Sequence, residues 1–154
     1  MKKFLLIPFL AFLLSACGPH RLYEDIVSVN PDGWNMDSTI TFTVNITDST
    51  KYYDFFFFVR NTTDYATQNF YVFFKTKFPN GYVSQDTLGF VLCDKYGQWT
   101  GKGHGYLKEK QYLYMPKIRF AHCGTYVFTA QQAMRDENLV GISDFGMALY
   151  ETKE

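Results

Sequence analysis

The residues with the most specific chemistry in this chain are Leu14-Ser15-Ala16-Cys17. Small residues just before a cysteine suit a lipoprotein signal peptidase, and lipid transfer needs a thiol at the new N-terminus. Lys2 and Lys3 supply a basic start. Residues 4–14 supply an apolar run with the length of a secretory h-region, too short to cross a bilayer. The pattern predicts a signal peptide over residues 1–16 and a mature chain that begins at Cys17, acylated on its sulfur and its amino group. Each methylene buried in a bilayer contributes about 0.8 kcal/mol, so several acyl chains hold a protein there almost permanently.

Cys93 and Cys123 are the remaining thiols, an even pair in a chain marked for export to an oxidising compartment. They could close a disulfide, worth about 3–4 kcal/mol on a chain-entropy argument, or stand as two separate thiols. Spacing alone does not decide. His20, His104 and His122 are scattered, and none forms a C-x-x-C or H-x-x-x-H pattern with another ligand. Neither a metal nor another cofactor is expected. There is no G-x-S-x-G elbow. The acid pairs Glu24-Asp25 and Asp136-Glu137 are adjacent in sequence, whereas the two carboxylates of a glycosidase come from separate strands. No catalytic residue is assigned, and the chain reads as a non-enzyme.

Binding is the open possibility. Aromatic residues make up 19% of the chain, with 16 Phe and 12 Tyr. Tyr82, Trp99, Tyr106, Tyr112 and Tyr114 fall in or near expected loops, where an aromatic face could stack on a sugar ring. In so aromatic a chain the same residues could equally be core or rim. Phe56, Phe58 and Trp99 are the candidate contacts for a protein or glycan partner. Arg60 is expected to form a structural ion pair with Asp54 or Asp64. Fifteen basic and 15 acidic residues balance, so bulk charge draws neither nucleic acid nor an anionic membrane.

The elements that must position these residues are strands. Residues 40–47 alternate Ile, Phe, Val, Ile with Thr, Thr, Asn, Thr, the signature of a half-buried antiparallel strand. Residues 52–60 follow after a turn, with Phe55 to Phe58 consecutive, so that aromatics lie on both faces of one strand. Further strands are expected over 69–75, 83–92, 111–115, 126–129 and 142–150, with Gly146 marking a bulge or a close backbone approach. The charged run 108–110 reads as solvated, the glycine-rich stretch 96–105 as a loop, and 131–138 as a short helical turn. The sum is an all-β chain of about eight strands, a single antiparallel β-sandwich over residues 34–154 with jelly-roll topology the favoured arrangement. Residues 17–33 read as the lipidated N-terminus and a flexible tether.

Landmarks spread over this chain resemble a known family, the gliding-motility lipoproteins called GldH. They are Trp34 and Asp37, the segment Tyr53 to Arg60 with Asn61-Thr62 and Tyr65, Phe78-Pro79 with Gly81, and Asp86-Thr87-Leu88. The loop Gly97 to Gly103 around Trp99, Gly124-Thr125-Tyr126, Gln131 to Arg135, Gly141-Ile142 and Asp144-Phe145-Gly146 complete the likeness. The resemblance implies a membrane-anchored, non-catalytic component of surface motility linked to type IX secretion, with protein partners. Only Cys17 carries over as a functional position, as the site of lipid attachment. Gly18 after Cys17 favours the outer membrane over inner-membrane retention. The lack of an acidic run just behind the cysteine favours the periplasmic face. The alternative is a carbohydrate- or peptidoglycan-binding lipoprotein.

Overall fold

A computed structural model describes residues 20–152; the expected signal peptide and Cys17 lie outside the described residues. Eight long strands form two four-stranded sheets: β1 (Arg21–Ser28), β3 (Thr39–Ile46), β4 (Tyr52–Thr62), β5 (Asn69–Lys77), β6 (Val83–Val91), β7 (Leu107–Ile118), β8 (Gly124–Gln132) and β10 (Ile142–Thr152). Two short strands, β2 (Trp34–Asn35) and β9 (Asn138–Leu139), pair with each other at one end.

The first sheet runs β1-β10-β4-β7 and the second β3-β8-β5-β6, with every neighbouring pair antiparallel. The first long strand pairs with the last, the second with the second-to-last, and so inward to the β5–β6 hairpin. A long antiparallel ribbon rolled up on itself gives this order, which is the jelly roll expected from the sequence.

The alternation in β3 sets its burial. Ile40, Phe42, Val44 and Ile46 point into the sandwich, while Thr41, Thr43 and Asn45 face solvent. In β4 the four phenylalanines divide. Phe55 and Phe57 enter the core, and Phe56 and Phe58 lie half-buried on the outer face. Between the sheets the rings pack mostly edge to face: Phe57 meets Phe74 at 4.9 Å and Phe55 meets Phe128 at 5.6 Å between centroids. Such pairs add about 0.5–1.5 kcal/mol each beyond the area they bury, so the aromatic surplus becomes a specific core.

Three expectations are corrected. Residues 21–28, taken as part of the tether, form β1. Its charged and apolar residues hide the strand pattern, because it is an edge strand with Arg21, Glu24 and Asp25 exposed. The charged run 108–110 lies inside β7, also at an edge, where charge blocks unwanted pairing. Residues 131–138 are not helical. Gln132 is buried; its Nε2 donates to the Asp136 carbonyl at 2.7 Å and its Oε1 accepts from the Met134 N–H at 2.7 Å, which closes a turn into β9. Trp34 docks on the core against Phe70 and Phe145.

Candidate functional site

The connections gather at two ends. One end carries residues 29–38, 63–68, 92–106 and 133–141; the other carries 47–51, 78–82 and 119–123. Three features of the first end and its adjoining sheet face could contact a partner.

The longest connection, between β6 and β7, is tightly built. Asp94 Oδ1 accepts from the N–H groups of Tyr96 (2.8 Å) and Gln98 (2.9 Å). Lys102 and Glu109 exchange both backbone hydrogen bonds at 2.8 Å. The chain lies so close to β7 that a Cβ on Gly103, at φ +150°, would sit 2.4 Å from the Leu107 carbonyl oxygen. Gly101 and Gly103 therefore serve close backbone approach, whereas Gly97 and Gly105 have open space around them and supply turns at positive φ. Trp99 is half-buried, as Phe56 and Phe58 are, and packs one side against the core. The ring positions exposed here are Tyr96 and Tyr106. Residue type singled out the tryptophan; exposure falls on its neighbours.

Beside this loop lies a shallow recess of about 260 Å³ lined by Arg60, Lys102, Gly103, His104, Leu107 and Glu109. Arg60 is already committed. Its Nε donates to Glu109 at 3.0 Å and its Nη1 to Asp144 at 3.1 Å. The hydrogen bond to Glu109 raises the guanidinium's pKa further. Its partners are thus Glu109 and Asp144, brought opposite it by the β4–β7 and β4–β10 registers, and not the expected Asp54 or Asp64. Asp144 also accepts from the hydroxyls of Ser28 and Ser143, each at 2.8 Å. A second hollow of about 410 Å³, lined in part by Val27, Val29, Trp34, Ile40 and Asn138, opens between the end of β1 and the β2–β3 region.

The third feature is the outer face of the first sheet. Phe56 and Phe58 sit there beside Ile26 and Leu113, all at least partly exposed. The Arg60–Asp144–Glu109 rung borders the patch on one side. On the other, the Tyr150 hydroxyl donates to Glu24, which lowers the Glu24 pKa, while burial pushes the Tyr150 phenol up to about 12. Phe56 packs edge-on against Tyr150 at 5.6 Å. Both phenylalanines are therefore at a surface, as a contact role requires.

The two thiols do not meet. Both are free cysteines, and Cys123 lies at the Gly124 end of β8 with its Sγ donating weakly to the Thr47 carbonyl at 3.5 Å. Cys93 bridges to Trp99 beyond the opposite end of the same sheet. Among the described residues no group of three His, Cys, Asp or Glu side chains is placed to hold a metal.

Over residues 21–149 the sequence matches the family described as GldH lipoprotein. It is 35% identical over 148 residues to the gliding motility lipoprotein GldH homolog of Christiangramia forsetii, covering 92% of this chain and 90% of that one. It belongs to the GldH lipoprotein family. The gliding motility lipoprotein GldH of Flavobacterium johnsoniae is 30% identical over 146 residues, 90% of each chain. The GldH match begins at Arg21, the first residue of β1. Among solved structures, a family 35 carbohydrate binding module from Clostridium thermocellum aligns at TM-score 0.38 and 12% identity, over 84% of this chain and 95% of that one. Latent PorU from Porphyromonas gingivalis aligns at TM-score 0.30 and 11% identity, over 90% of this chain and 14% of that one.

Proposed function

We propose that this GldH-family chain is a lipid-anchored, non-catalytic accessory of the gliding-motility and type IX secretion machinery, held at the outer membrane on its periplasmic side through Cys17. The observation that carries this reading is the family match, which spans nearly the whole folded domain. The lipobox before Cys17 supports the anchor. The hydrogen-bonded β6–β7 loop and the Phe56–Phe58 face support a contact role. Anchoring confines the partner search to a thin layer beside the bilayer, so modest interfaces suffice. In a deletion strain of a gliding host, wild-type protein restores motility, and Cys17→Ser leaves the fold intact and fails to do so. Full rescue by the soluble Cys17→Ser protein refutes the anchored role. Crosslinking in intact cells identifies the partner.

A glycan-binding role is the second reading, favoured by the exposed rings of Tyr96 and Tyr106 at one end of the sandwich. Peptidoglycan pulldown that is lost with Tyr96→Ala, Tyr106→Ala or Trp99→Ala, in variants that keep the wild-type melting temperature, selects it.

A further inference from the structure

The order of β1 changes how far the domain can stand from a membrane. With residues 18–33 as a free tether, the sandwich could swing far from its anchor. In the structure β1 is hydrogen-bonded to β10 from Arg21 onward, and the His20 carbonyl accepts from the Glu151 N–H at 2.8 Å. Three peptide links separate Cys17 from His20, and they span at most about 11 Å in any conformation. An acylated Cys17, on which this inference rests, therefore pulls one particular end of the sandwich to the bilayer. That end carries the turns 47–51, 78–82 and 119–123. The opposite loops stand off by the length of the strands, roughly 35 Å for the 11 residues of β4.

The two ends differ in charge, which the balanced total conceals. Around the near end lie the cations Arg21, Lys51, Lys77, Lys117 and Arg119, against Glu24, Asp48, Asp54 and Glu151, with Arg21 paired to Glu24 at 3.1 Å. Lys51 is held by Glu151 at 2.8 Å, whereas Lys77 and Lys117 form no ion pair among the described residues, and Arg119 lies over the Tyr52 ring at 5.9 Å. The far-end loops carry Asp32, Asp37, Asp64, Asp94, Asp136 and Glu137 against Lys95, Lys102 and Arg135, with Lys108 and Lys110 of β7 reaching onto the loop at Gly103 and Thr100. Tyr82, 63% exposed, projects at the near end and leans on Phe78. Cations beside an exposed tyrosine are the side chains that settle at a membrane–water interface, where the ring takes the headgroup level and the charges meet anionic lipid.

We infer that the near end, with Tyr82, Lys77, Lys117 and Arg119, rests on the phospholipid headgroups, so that the acidic far-end loops face away from the membrane as the surface open to partners. The docked β1 acts as a rigid stalk that fixes this orientation.

The test uses full-length lipoprotein in vesicles of phosphatidylethanolamine and phosphatidylglycerol, with and without lipids brominated near the headgroup. Variants Tyr82→Trp and Tyr96→Trp report the two ends. Emission added by Tyr82→Trp falls about two-fold on brominated lipid, as for a ring at the interface, and that added by Tyr96→Trp is unchanged. The loss disappears in the added background Lys77→Glu/Lys117→Glu/Arg119→Glu. Protein that floats with vesicles but shows no bromine quenching of Tyr82→Trp, or equal quenching of both reporters, overturns the orientation while the anchor stands. Protein that fails to float overturns the anchor and the orientation together. Quenching that survives the triple reversal overturns the part given to Lys77, Lys117 and Arg119.

Discussion

Gly146 of β10 lies directly beneath β1: a Cβ added there would stand 2.6 Å from the Asp25 carbonyl oxygen and 2.7 Å from Ile26 Cγ1. Backbone cannot yield as a side-chain tip can, so any larger residue forces the two strands apart. Gly146→Ala should destabilise the domain by about 1–3 kcal/mol through this overpacking. The damage should be local to β1, seen as faster hydrogen exchange and protease cleavage around residues 21–28 before the rest unfolds. A urea midpoint equal to wild type, with β1 still protected, contradicts this.

What could be read from the sequence follows from which faces are buried. In β3 and β4 one face enters the core and the other does not, so the period of two survives in residue type, and both strands were legible. In β1 the side chains on the core side of the register are Tyr23, Asp25 and Val27; Tyr23 and Val27 are only half-buried and Asp25 is exposed, so no alternation marks the strand. Gly146 announced a close approach, but not that β1 was the element approaching. At the candidate surface, residue type pointed to Phe56, Phe58 and Trp99. All three are half-buried: the pair on β4 lies on the outer sheet face, while Trp99 leans on the core beside the exposed Tyr96 and Tyr106, and a single sequence does not tell which ring of an aromatic loop packs inward. The partners of Arg60 come from strands 49 and 84 residues away, so only strand register reveals them.

Arg60 and Asp144 form the central pair of the outer rung, and their value lies in what is stranded when one is removed. Asp144 is 8% exposed. Arg60→Ala leaves its carboxylate with hydroxyl donors alone and should cost about 2 kcal/mol. Removing both charges as Arg60→Ala/Asp144→Ala should cost less than the sum of the single changes, since the uncompensated carboxylate is gone. Denaturant melts of the four proteins form the double-mutant cycle, and strict additivity shows that the pair is uncoupled.

Alkaline pH acts on the tyrosines. Burial pushes Tyr112 and Tyr150 from an ordinary 10.0 up to about 12. Between those values the unfolded chain releases protons that the native state still holds. Stability is therefore fully present below pH 10 and falls as pH rises toward about 12. Absorbance of phenolate in the native protein should show these two groups titrating late, together with a melting temperature that declines above pH 10. Tyr150→Phe, which cannot ionise, should lessen the decline.

The thiols provide the most direct check on strand order. Val91, two residues before Cys93, pairs with Asn69, while Val127, four residues after Cys123, pairs with Lys77 at the other end of β5. Eight residue steps along β5 separate those positions by about 26 Å, far beyond the ~7 Å limit between Cα atoms for a disulfide. Export to an oxidising compartment therefore does not join them within one chain. Protein isolated from the envelope without reductant should take up two alkylating groups on Cys93 and Cys123 by mass spectrometry. The exposed Cys123 should react faster than the partly buried Cys93. An intramolecular Cys93–Cys123 bridge in that material would require a different arrangement of β5, β6 and β8, and the jelly-roll order would fall with it.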